Sequence, residues 1–177
     1  MAQHAMKWEA GDVHTRTFWW DGVWAGLIAG AVFMMLEMFM VWALKGESPW
    51  GPPHMMAAMI LGKDVLPPPG TPAPFDMGIM MTAMMVHIPL SIVFGLIGAW
   101  IVHRFDLGLA LLIGAVYGWA IYILTFLIVA PVMFPWFGMA RGGISIFAHV
   151  VFGAVLTGSY IALRGRHRAA MGRSSVG

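Results

Sequence analysis

The sequence predicts an all-α integral membrane protein. The expected architecture is a four-helix bundle of two duplicated helical hairpins, with both termini cytoplasmic and a short surface helix in a long first outer loop. Three observations carry this expectation. Of 177 residues, 60% are hydrophobic and 10% charged, against about 25% charged in a typical soluble domain; a chain this short cannot hide so much apolar surface from water. Four apolar stretches, roughly 22–44, 77–102, 107–130 and 143–163, each reach the roughly 20 residues that a bilayer crossing needs. The same features also recur in the same order in both halves. Disorder is excluded, because its signature is low hydrophobicity, and with no cysteine there is neither a disulfide framework nor a thiolate metal site. The whole chain, 1–177, reads as one membrane domain.

The first stretch follows about 20 polar and aromatic residues, is too long for a signal-peptide core and lacks a small-residue cleavage site, so it is expected to be a retained span. Trp19, Trp20 and Trp24 suit one membrane interface, and Trp42 and Trp50 the other. Lys7, Arg16, Arg104, Arg164, Arg166, Arg168 and Arg173 fall on one side of the membrane, and Lys45, Lys63 and Arg141 on the other. That bias places both termini in the cytoplasm. The basic tail, 164–177, then serves topology and contact with anionic lipid, and nucleic acid is not an expected partner. The outer loop 45–76 holds eight of the eleven prolines. Within it, His54 to Leu61 follows a Pro-Pro pair and ends at Gly62, a helix stop. Met55, Met56, Met59 and Ile60 would share one face of that helix, which would lie on the outer membrane surface or cap the bundle.

The halves echo each other. GLIAGAVF from Gly26 parallels ALLIGAVY from Ala110, Pro49-Trp50 parallels Pro135-Trp136, and Val93-Phe94-Gly95 parallels Val151-Phe152-Gly153. A parallel repeat about the membrane normal is the natural reading. Gly22, Gly26 and Gly30 are spaced by four, as are Ala110, Gly114 and Gly118. Such stripes let helix backbones approach closely, within one chain or between copies in a homo-oligomer.

Ionisable groups inside a bilayer are expensive and need an account. Glu37, His87 and His149 come from three different spans, yet counting about 1.5 Å per residue puts each about 8–12 Å below the outer edge. Each lies on a small-residue stripe. Glu37 follows Gly26 and Gly30; Ser91 and Gly95 follow His87; Ser145 precedes His149, and Gly153 and Thr157 follow it. They are therefore expected to meet in the bundle interior, joined by Tyr122 and Thr125 from the third span. Pro89 removes a backbone hydrogen bond to the carbonyl of Met85 and would open the helix beside His87. Of the seventeen methionines, fourteen fall in the outer half or the outer loops, and Met80 and Met84 share a helix face with His87. Thioether and imidazole are ligands that suit Cu(I), while methionine also fills irregular apolar gaps.

On these strings (GLIAGAV in the first span, HIPLSIVFGL in the second, FPWFGMARG after the third and FAHVVFG in the fourth) the chain resembles the YagU-like family of small bacterial inner-membrane proteins. The resemblance implies a multi-pass inner-membrane protein with four helices and one histidine in each of the second and fourth, matching His87 and His149. It implies no reaction.

Three functions remain open from the sequence. The first is an accessory or structural subunit of a larger membrane assembly, in which Glu37, His87 and His149 form a polar network that fixes packing. The second is binding of a metal or cofactor. Here Glu37, His87 and His149, with Met80 and Met84, would hold copper; alternatively His87 and His149 would hold a b-type haem, with Gly95 and Gly153 making room for the ring and Arg141 near the propionates. The third is proton-coupled transport through the same groups. No nucleotide loop, zinc-protease helix or nucleophile elbow occurs, so an enzyme is not expected.

Overall fold

The computed structural model describes the backbone of residues 2–174 and the side chains of residues 18–167 and Ala170. The side chains of Lys7, Arg16, Arg168 and Arg173, used above for orientation, lie outside the described residues. The described chain is helical throughout its regular parts: α1 (Ala2–Lys45), α2 (Gly51–Leu61), α3 (Met77–Val102), α4 (Leu107–Tyr122), α5 (Ala130–Met133) and α6 (Gly143–Ser174). A π-helical segment, Ile123–Val129, joins α4 to α5 without a break, and 3₁₀ turns occupy Lys63–Val65 and Pro135–Ala140. Four stretches are long and apolar enough to cross a membrane: Phe18–Lys45, Met77–Val102, Leu107–Met133 and Gly143–His167.

Local chemistry sets most of the ends. Asp76 and Asp106 cap α3 and α4, their carboxylates accepting from the backbone N–H of Ile79 (2.8 Å) and Leu109 (3.1 Å). Gly46 (φ 67°) and Gly62 (φ 87°) stop α1 and α2 in a conformation that only glycine takes easily. The short loop helix begins at Gly51, earlier than the Pro-Pro pair suggests. Pro52 and Pro53 lie in its first turn, where no N–H is needed. The first and last spans also overrun the apolar stretches. α1 starts twenty residues before position 22 and α6 continues to Ser174, because no proline interrupts either segment and the hydrogen-bond ladder does not depend on hydropathy. The helix at Pro89 runs straight through Met77–Val102.

Packing follows the order α3–α1–α6–α4: α1 packs on α3 and α6, and α6 on α4, while α3 and α4 scarcely touch. Large apolar side chains cover the outside, among them Met35, Phe39, Met85, Trp100, Leu112 and Trp119, all more than half exposed except Trp119 at 50%. Such an exterior needs an apolar solvent or a partner. The inside is built from small residues. A Cβ added at Gly95 would stand 2.6 Å from Gly26 Cα, and one at Gly153 would stand 2.7 Å from Gly118 N; the backbones of α1 and α3, and of α4 and α6, are therefore in direct contact. The two hairpins thus share one kind of contact. Its register pairs Gly22 with Gly114, whereas the repeated strings pair Gly30 with Gly114, two helical turns away.

Toward the inner end, Ala25, Ala99, Val102, Ala110 and Tyr160 form a closed cluster. There Asp21, 2% exposed, meets His167 of α6 at 3.0 Å, and Arg164 donates to the carbonyls of His103 and Phe105, tying α6 to the end of α3.

Candidate functional site

The gap between α3 and α4 is filled toward their short connection and open toward the end that carries α2. Tyr117 of α4 donates to the Phe94 carbonyl of α3 at 3.1 Å. Beyond that tie lies a cavity of about 320 Å³ to which all the helices contribute. Its walls are almost wholly apolar and rich in phenyl rings, including Phe33, Phe94, Phe126 and Phe152. Such a volume falls within the range of small-molecule sites.

Glu37, His87 and His149 all line this cavity, and each is less than a tenth exposed. They do not bond one another. Glu37 of α1 accepts from the Ser145 hydroxyl of α6 at 2.7 Å. His87 donates from Nε2 to the Gly30 carbonyl of α1 at 2.9 Å, an approach made possible because Gly30 lacks a side chain: a Cβ there would stand 3.2 Å from that nitrogen. His149 donates from Nδ1 to the Ser145 carbonyl one turn back, at 2.7 Å. Phe33 touches both imidazoles, stacked on His87 (6.0 Å between centroids, 19°) and edge-on to His149 (4.8 Å, 79°). Ser91 lines the cavity with its hydroxyl turned to the His87 carbonyl at 2.8 Å. Thr125 does likewise, bonding the Ile121 carbonyl at 2.7 Å. Tyr122 is buried beside His149, 5.7 Å between ring centroids.

Met80 and Met84 are half-buried on α3 but are not in the cavity wall. The methionines that are in it, Met34, Met55, Met56 and Met59, come from α1 and from the loop helix α2. That helix packs on α3 and covers the cavity's outer end, held in place by the Trp136 indole, which donates to the Met55 carbonyl at 3.0 Å. Ile60, expected on the same face as those methionines, points outward and is 55% exposed.

The geometry does not fit the copper and haem expectations. Among the described residues no three His, Asp or Glu side chains stand together as a metal site. The ring of Phe33 packs against both histidines, and Gly95 and Gly153 face the backbones of α1 and α4, leaving no room there for a porphyrin. Arg141 is exposed in a second, outer space of about 790 Å³ beneath the proline-rich loop. That vestibule and the apolar cavity share Glu37, Pro52, Met55 and Ala140 as lining residues, so Glu37 stands where the more polar space beneath the loop meets the apolar cavity.

Three parts of the site were not legible beforehand. Phe33 was hidden because one phenylalanine in an apolar helix looks like any other. Ser145 sat on the His149 stripe, but only the approach of α1 to α6 shows that it bonds Glu37. The π-helical segment beside the cavity has one signal, Pro131: without an N–H there, the Ala130 N–H reaches back five residues to Thr125.

Comparison with family models, with curated proteins and with solved structures finds no match for this chain.

Proposed function

We propose that this chain is a small multi-pass protein of the bacterial inner membrane that acts without catalysis, as an accessory subunit that holds a lipophilic small molecule. The observation that carries the reading is the cavity between α3 and α4. It is apolar, walled by aromatic rings and methionines, and carries three buried ionisable groups. A void of this kind within a close-packed interior forfeits contacts on every wall, and a guest restores them. Two routes lead in. One passes from the vestibule past Glu37; the other leads sideways from the bilayer, where Leu90 and Leu124 wall the cavity and are 38% and 46% exposed.

Support for the membrane orientation comes from the Lys and Arg bias, which places both termini in the cytoplasm and α2 outside. The resemblance to the YagU-like family points to the same membrane. A proton-coupled route has less support, because Leu156 and the Ala25–Tyr160 cluster are packed solid beneath the cavity. The apolar exterior suits lipid, and equally a larger assembly or a second copy.

Two measurements test this. In lipid nanodiscs, a naphthalene-based, environment-sensitive fluorophore is expected to bind saturably at one site per chain; a signal that only grows in proportion to lipid would count against the cavity as a site. The chain has no cysteine, so single cysteines placed at Gly138 and Gly165 report topology. Gly138→Cys should react with a membrane-impermeant maleimide on intact spheroplasts and Gly165→Cys only after lysis. The reverse pattern would invert the orientation.

A further inference from the structure

Two imidazole nitrogens on residues that line the cavity have no hydrogen-bond partner. His87 Nε2 and His149 Nδ1 both meet backbone carbonyls, which only accept, so those nitrogens carry the hydrogens. In a neutral imidazole the other nitrogen then carries a lone pair. His87 Nδ1 and His149 Nε2 have no hydrogen-bond partner, although their rings are 8% and 7% exposed. No enclosed side-chain polar atom among the described residues lacks a partner. The two nitrogens are therefore accessible, and the space their rings line is the cavity.

The hydroxyls on the walls are committed. Ser91 and Thr125 give theirs to backbone carbonyls, and Glu37 engages Ser145 through one of its two oxygens. The cations nearest the entrance, Lys45 and Arg141, lie in the vestibule and not in the cavity. The cavity thus offers acceptors to its guest and no positive charge. Its rings meet His149 at steep angles, Phe33 at 79° and Phe126 at 88°, and Phe33 stacks on His87 at 19°, so the walls accept flat rings both edge-on and face-on.

We infer that the guest is a membrane-dissolved aromatic ring bearing two hydroxyl groups, of the hydroquinone class, whose O–H groups donate to His87 Nδ1 and His149 Nε2. An acyl chain would fill the space but leave two buried acceptors unsatisfied, which is costly. An anionic head would find no cation there. A hydroxyaromatic ring satisfies both nitrogens and matches the walls. This inference rests on the ligand-holding function proposed above.

The test uses the full chain in nanodiscs with the naphthalene fluorophore as reporter. The competitors are a short-tailed hydroquinone, kept reduced, and its dimethyl ether, which has the same ring and no donor. The hydroquinone is expected to displace the fluorophore about a hundredfold better than the ether, tenfold for each hydroxyl and so about 1.4 kcal/mol apiece. His87→Phe and His149→Phe should each reduce that preference about tenfold while the fluorophore still binds, which also shows that the variants are folded. Equal displacement by hydroquinone and ether, or none by either while the fluorophore saturates, overturns the donor inference and leaves the cavity reading standing. A fluorophore that never saturates removes both.

Discussion

Gly118→Ala is expected to destabilise the protein by about 3 kcal/mol or more, at or beyond the upper end of ordinary overpacking. The new methyl group would fall on the His149 carbonyl and stand 3.1 Å from Gly153 N, both backbone atoms of α6. No rotamer change moves a backbone, so α4 must part from α6. Within a helix the same substitution is ordinarily favourable by about 1 kcal/mol, and the sign of the effect therefore reports the contact itself. Gly165→Ala supplies the comparison. It also lies within a helix, α6, but meets open space, so it should hold or raise stability by up to about 1 kcal/mol. Thermal unfolding followed by tryptophan fluorescence in detergent distinguishes the two. If Gly118→Ala melted with Gly165→Ala, the α4–α6 backbones could not be in contact.

Ala130→Trp is expected to abolish fluorophore binding, lowering affinity at least tenfold, with a change in stability of less than about 1.5 kcal/mol. Ala130 is 4% exposed and forms part of the cavity wall at the start of α5. An indole there grows into the void rather than into packed atoms, so it takes up the guest's space with little strain. It leaves Glu37, His87 and His149 untouched. Binding that survived this substitution, measured by the same titration, would place the fluorophore elsewhere.

The helices were legible because membrane crossing writes itself into composition: the four spans need length and apolarity, both properties of consecutive residues. The stop at Gly62 was local too, whereas the caps at Asp76 and Asp106 emerged only with the structure. That Glu37, His87 and His149 are buried and face one space also followed from helical counting and small-residue stripes. How they meet did not. The expected ligand set does not assemble among the described residues: no three His, Asp or Glu side chains stand together, and the ring of Phe33 packs against both imidazoles. The haem expectation failed on Gly95 and Gly153. Glycine makes room equally for a cofactor or for another backbone, and only the neighbouring helix says which. Met80 and Met84 share a helix face with His87, but periodicity along α3 cannot tell which part of that face α2 covers.

The amino-acid sequence alone determined that the chain carries four helices long and apolar enough to cross a membrane and that Glu37, His87 and His149 turn inward, since each depends on neighbours along the chain. Tertiary structure decided that α3 and α4 stand apart, that a cavity fills the gap and that both imidazoles line it. Those facts depend on which helices touch, and dispersion between small residues, unlike hydropathy, leaves little trace in sequence of the partner it selects.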